Sequence, residues 1–252
     1  MPRVPYLAAP RPLAFAHRGG AAAGDENTVA AFERALALGY RYLETDVQAT
    51  ADGVAVVFHD ADLTRMAGRR TRVDALRWAD LATVRIRGEA AVPRLDELLD
   101  GWPDVRFNVD VKAHAAVEPT VAVLRRTAAH DRVLLASFSD TRLARLRRAV
   151  GPAVATSLAT REVARLRAGV LRRPPAGAVA AQVPVRYGPV RVVDRRFIAR
   201  AHRLGLQVHV WTVDDPAEMH DLLDLGVDGI MTDHPAVLRQ VYLERGVWRT
   251  PW

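Results

Sequence analysis

Short apolar runs recur along the chain, and most are followed by a stretch with apolar positions at helical spacing. Runs at 13–16, 42–47, 106–111, 133–136, 153–157, 178–183, 207–211 and 229–231 read as strands. Helical patterns lie at 28–38, 95–100, 119–129, 140–149, 161–168, 194–203, 216–225 and 236–244. Gly39, Gly205 and Gly226 stand just past apolar helical runs, where a left-handed residue lets the chain leave the helix. Asn27 and Asp194 precede helices as N-caps, and Pro216 suits a first helical turn. Eight strand–helix units in 252 residues predict an α/β fold, a TIM-type (β/α)8 parallel barrel, as a single domain over 1–252. A doubly wound open sheet is the alternative, but the glycine-rich turn of a dinucleotide fold is absent.

One segment breaks the alternation. Asp52 and Gly53 mark a hairpin turn after the second strand, and the apolar run 54–58 then leads into His59 and Asp60. Residues 61–93 are polar, arginine-rich and poorly periodic, and read as a small cap-like excursion above the barrel.

Composition narrows the class. The chain has no cysteine, which excludes a disulfide framework and a thiolate metal site. No apolar run approaches the roughly 18 residues of a membrane span. Pro5, Pro10 and Pro12 would break a signal-peptide core, so a cytoplasmic protein is expected. The net charge of +7 raises the question of nucleic acid. In the densest basic stretch, 140–150, Leu143, Leu146 and Val150 share a helix face and leave Arg142, Arg145 and Arg148 on others. No basic stretch is interleaved with stacking aromatics, so the charge points to anionic surfaces or substrates rather than nucleic acid. Of the 36 basic side chains only Lys112 is a lysine, and it follows Asp110 on the third strand.

Other strand ends carry similar chemistry. Glu44 and Asp46 share a strand face about 6.5–7 Å apart, as do Asn108, Asp110 and Lys112. If both strands are staves, these faces converge at the C-terminal rim, where such barrels place their sites. Three carboxylates brought together need a cation, and an all-oxygen set suits Mg²⁺ or Ca²⁺. A buried salt-bridge network of Glu44, Asp46, Asp110, Arg18 and Lys112 without metal is the competing reading. His17 and Arg18 precede glycines that let a ligand approach the backbone, and arginine can grip a phosphate bidentately. Histidines at 17 and 59 can transfer protons near neutrality. The plainer reading is a hydrogen-bonded strand-end histidine at each place and a surface arginine.

The ordered set His17-Arg18-Gly19, Glu26-Asn27-Thr28, Glu44-x-Asp46, Asp52-Gly53, His59-Asp60-x-x-Leu63-x-Arg65, Asn108-x-Asp110-x-Lys112, Trp211-Thr212-Val213 and Asp228-Gly229 through Asp233-x-Pro235 resembles the glycerophosphodiester phosphodiesterase family over about residues 13–240. The resemblance implies a metal-dependent barrel that hydrolyses a small-molecule phosphodiester to glycerol 3-phosphate and an alcohol. It implies Glu44, Asp46 and Asp110 as ligands of Mg²⁺ or Ca²⁺. Arg18 and Lys112 would bind phosphate oxygens, His17 would act as base and His59 as acid, and Trp211 would form an apolar wall for glycerol. Gln182, at another strand end, is a further candidate substrate contact. His209 reads as barrel filling, Glu26 and Asn27 as braces of the His17 loop, and Asp233 as a turn and cap residue. Three positions depart from the family pattern. Asp110 stands where glutamate is usual, Asp25 where proline is common, and Asp214 where asparagine is frequent. Two other functions stay open. One is lysophospholipase D-type action, with the arginine-rich excursion, Trp248 and Trp252 in transient membrane contact. The other is a non-catalytic phosphate-binding barrel. Oligomeric state is not legible.

Overall fold

The structure, a computed structural model, describes residues 4–249. Trp252 lies outside the described residues. Eight parallel strands close into a barrel, here called staves one to eight. They are Leu13–Ala16, Tyr42–Ala49, Arg106–Val111, Val133–Ala136, Ala155–Ser157, Ala178–Pro184, Gln207–Trp211 and Gly229–Thr232. Stave one pairs with both stave two and stave eight, which closes the ring. The expected barrel is the observed one, because each apolar run is buried between an inner filling and an outer layer of helices.

Alternation divides stave two. Leu43 and Val47 pack outward into the main core, while Tyr42, Glu44 and Asp46 share the opposite, inner face. The register sets Glu44 beside Asn108 and Asp46 beside Asp110 of stave three. Below this polar level the barrel is filled. Leu13, Phe15, Tyr42, Leu134, Ala155, Ala180 and Met231 form its inner cluster, and Tyr6 plugs the N-terminal end. Tyr42 meets Tyr6 edge-on at 5.4 Å and its hydroxyl donates to the Tyr6 carbonyl at 2.7 Å. His209 is fully buried in this filling, 4.9 Å from the Phe15 ring, as expected of a packing histidine. Gly229 is required here, since a Cβ would fall 2.9 Å from the Phe15 ring.

Several boundaries move for physical reasons. The first helix, Val29–Ala37, is capped by Thr28, whose Oγ1 accepts the Ala31 N–H, and not by Asn27. Asn27 instead has φ 60° and spends its side chain on stave two. The helix Val117–Arg126 ends early, and its tail becomes a tight turn at Ala129–Asp131. Asp194 caps its helix and Gly39, Gly205 and Gly226 have positive φ, as anticipated. Arg142 is half-buried rather than fully exposed. It folds inward, donating to the Val111 carbonyl at 2.9 Å and to Ser137 Oγ at 3.0 Å.

The hairpin at Asp52 and Gly53 forms, with Ala55–Val57 antiparallel to stave two. The excursion beyond it is more ordered than its sequence suggests. Leu63, Met66, Val73, Leu81, Val84, Ile86 and Val92 bury a small core of their own with Val56 and Phe58. Trp248 packs edge-on against Tyr40 at 5.2 Å, near the N-terminal ends of staves one and two. Among the described residues no helix is long and apolar enough to cross a membrane.

Candidate active site

The rim gathers side chains from seven of the eight staves or the loops that follow them. His17 sits in a tight turn directly after stave one, which Arg18 completes with φ 51° and Gly19 with φ 81°. A side chain at Gly19 would strike the first helix, with Ala31 and Phe32 atoms at 2.9 Å. The turn therefore presses on that helix and fixes where His17 points. His17 Nδ1 lies 2.6 Å from Asp233 Oδ1, and its Nε2 lies 3.7 Å from Glu44 Oε2. Burial works against a charged ring, but Glu44 and Asp233 outweigh it and hold the His17 pKa above its ordinary value.

Asp233 is thus more than a turn residue. Its own backbone N–H donates to Asp214 Oδ1 at 2.8 Å, as does the Thr232 hydroxyl. Asp214, the residue at the usual asparagine position, accepts both bonds with one carboxylate oxygen. On the other side of the mouth His59 Nδ1 lies 2.6 Å from Asp60 Oδ1.

Glu44 accepts the Arg18 backbone N–H at 3.0 Å. Burial, and then the neighbouring Asp46, push its pKa up to about 7. Asp46 is held low despite burial because Lys112 and Arg18 face it. Lys112 Nζ bridges Asp46 Oδ1 at 2.8 Å and Asp110 Oδ2 at 2.7 Å. Arg18 Nε stands 3.0 Å from Asp46 Oδ2, close in charge but not aligned as a hydrogen bond. Asn27 donates to the same oxygen at 2.9 Å and accepts from Thr45. Asp110 is pushed up by burial, and its Oδ1 is buried without a hydrogen-bond partner.

The donor chemistry suits a hard cation, and its fit can be tested on these atoms. Among the described residues no three acidic or imidazole groups form a ready cage, because Lys112 occupies the gap between Asp46 and Asp110. Two features nonetheless call for added positive charge. Asp110 Oδ1 is orphaned, and Glu44 is driven toward its neutral form. One cation touching Glu44, Asp46 and Asp110 would answer both, so the residues fit a divalent ion.

The remaining predicted contacts are also at the rim. Trp211 closes stave seven beside Pro184 and meets Phe138 edge-on at 5.4 Å. Phe138 is 56% exposed and lies 5.6 Å from Lys112 Nζ. Its sequence, one aromatic between two serines, gave no periodic signal. Gln182 Nε2 donates to Asn108 Oδ1 at 3.1 Å, just below the carboxylates. Arg65, from the excursion, was visible only as part of a motif. It binds Glu26 at 2.6 and 2.9 Å and Asp60 at 2.7 and 3.1 Å.

Comparison with known proteins gives the family and agrees with the fold. The model of the glycerophosphoryl diester phosphodiesterase family matches residues 17–237. A probable glycerophosphodiester phosphodiesterase 2 of Mycobacterium tuberculosis is 42% identical, over 98% of this chain and 97% of its own length. The crystal structure of a putative glycerophosphoryl diester phosphodiesterase from Silicibacter pomeroyi superposes with a TM-score of 0.79 at 26% identity, covering 96% of this chain and 97% of the other. An Oleispira antarctica phosphodiesterase, solved with the product sn-glycerol-3-phosphate, shares the fold at 21% identity and a TM-score of 0.77, covering 92% and 96%.

Proposed function

The chain belongs to the glycerophosphoryl diester phosphodiesterase family, and from that premise we propose that it cleaves glycerophosphodiesters to glycerol 3-phosphate and an alcohol at this rim. The observation that carries the reading is a matched pair of imidazoles. His17 and His59 each turn Nδ1 to an aspartate at 2.6 Å, which leaves both Nε2 atoms for a proton in transit. The paired carboxylates fix ring orientation and stabilise the charged ring when it forms.

His17 takes the proton from the attacking hydroxyl, which belongs to water, giving glycerol 3-phosphate directly, or to the substrate's own glycerol, giving a cyclic phosphate that a water molecule then opens to glycerol 3-phosphate. As the new P–O bond forms, the bond to the alcohol breaks and His59 protonates the departing oxygen. Glu44, Asp46 and Asp110 would hold a divalent ion, Mg²⁺ or Ca²⁺, which would supply Lewis-acid charge to the phosphate. Lys112 and Arg18 already face that cluster and neutralise the anionic diester, whose charge otherwise repels the nucleophile. Trp211 and Phe138 offer an apolar wall to the carbon atoms flanking the phosphate, and Gln182 a polar contact beneath it.

The test is alcohol release from soluble glycerophosphodiesters and from lysolipid vesicles, with EDTA and then Mg²⁺ or Ca²⁺ restored. Turnover of soluble diesters, lost with chelator and regained with metal, is expected. His17→Ala and Glu44→Ala should each abolish it with circular dichroism unchanged. Turnover of vesicles alone would instead indicate lysophospholipase D-type action. Binding without turnover at every ion concentration would indicate a phosphate-binding barrel. A fully active Glu44→Ala would remove the metal assignment.

A further inference from the structure

We propose that Arg65 is a positioning residue that locks the His17 loop to the His59 loop, so that the excursion sets the spacing of the two imidazoles. This rests on the reading of His17 and His59 as the proton-transfer pair.

The geometry is specific. Arg65 Nη1 and Nη2 donate to the two oxygens of Glu26 at 2.9 and 2.6 Å, while Nε and Nη2 donate to the two oxygens of Asp60 at 2.7 and 3.1 Å. One planar guanidinium therefore holds two carboxylates, each bidentately, which an ammonium cannot imitate. Each carboxylate leads to a histidine loop. Asp60 Oδ1 lies 2.6 Å from His59 Nδ1. Glu26 Oε1 also accepts Arg18 Nη1 at 2.9 Å, and the Arg18 carbonyl accepts the Asn27 N–H at 2.9 Å. The contacts run unbroken from His59 through Asp60, Arg65, Glu26 and Arg18 to the turn that carries His17.

Arg65 is itself anchored. It lies in the short helix Thr64–Ala67, between Leu63 and Met66, whose side chains are buried in the small core of the excursion. That core gives the otherwise loose segment a fixed place from which to reach both carboxylates.

Two rival roles make different predictions. As a phosphate ligand Arg65 would have to act through its one remaining Nη1 N–H, since the other four of its five donors are committed to carboxylates. As a merely structural ion pair it would matter little, because its side chain is 46% exposed and such pairs contribute little to stability. A positioning role predicts a loss in the chemical step alone, since misplacement of reacting groups by about 1 Å can cost about a hundredfold.

The experiment compares Arg65→Ala and Arg65→Lys with the full-length wild type. Turnover number should fall about ten- to a hundredfold in both, with KM within about twofold and the melting temperature little changed. Millimolar guanidinium should partly restore Arg65→Ala, and the lysine variant should not behave as wild type. A KM rise with turnover intact would make Arg65 a ligand, and turnover within about twofold of wild type would overturn the proposal. A second readout does not depend on activity. The ring ¹H–¹⁵N signals of both His17 and His59 should move in Arg65→Ala; movement of His59 alone would break the proposed link, whereas an inactive wild type in which both signals move would count against the hydrolase reading only.

Discussion

Replacing Asp233 with asparagine removes one charge from the back of His17 and keeps the side-chain shape. The contact at issue is the 2.6 Å approach of Asp233 Oδ1 to Nδ1, the length of a charge-assisted bond. Hydrogen bonds to charged groups contribute about 1.5–3 kcal/mol. The Asp233 side chain is 28% exposed, so the lower part of that range, about 1.5–2 kcal/mol, applies. At about 1.4 kcal/mol per decade, kcat/KM should fall roughly 10- to 30-fold. The loop should survive, because the bonds from the Asp233 backbone and Thr232 to Asp214 do not involve the altered carboxylate. A second effect has a definite sign. Asp233 helps hold the His17 pKa up against burial, so its loss lowers that pKa. A base with a lower pKa stays unprotonated to lower pH, and the acid limb of the pH–kcat/KM profile should move downward. Steady-state release of glycerol 3-phosphate across that limb measures both effects. Unchanged kcat/KM together with an unmoved acid limb would refute the reasoning.

Two other perturbations follow from the packing. Phe138→Ala removes one half of an aromatic pair worth about 0.5–1.5 kcal/mol, and its ring is mostly exposed. KM should rise about two- to tenfold at near-constant turnover and melting temperature; unchanged KM across several headgroups would remove Phe138 from the site. Burial lowers the His209 pKa from 6.5 to about 4, so the folded protein resists a proton that the unfolded chain accepts. The stabilising contribution of the neutral ring is complete above 6.5 and is lost as pH falls toward 4, by up to about 3 kcal/mol. Thermal melts in that window should fall more steeply for wild type than for His209→Gln, and parallel curves would contradict the assignment.

The staves were legible because burial on both faces writes a nearly continuous apolar run, and the rim carboxylates because alternation puts Glu44 and Asp46 on one side. The level match of Asp46 to Asp110 was not legible, because it depends on the stagger between neighbouring staves as well as on their adjacency. Asp233 was not readable as a partner of His17, because 216 positions separate them and the Thr-Asp-His-Pro run also spells an ordinary helix entrance. Asn27 looked like a cap for the same local reason, and only the folded chain shows its amide spent on Asp46. The core of the excursion stayed hidden because Leu63, Met66, Val73, Leu81 and Ile86 follow neither a two- nor a 3.6-residue period. Arg142 was placed outside by helical spacing, which does not register how far a long side chain can fold back toward carbonyls at a strand end.

The packed inner cluster and Tyr6 close the barrel beneath the rim, so the rim is the face by which a ligand comes and goes. Traffic in a cleavage reaction is then one-way-in and same-way-out, and both fragments must leave past the lip where the diester arrived. On the proposed roles of Lys112 and Arg18, the phosphorylated fragment would compete with the incoming diester for the same two cations.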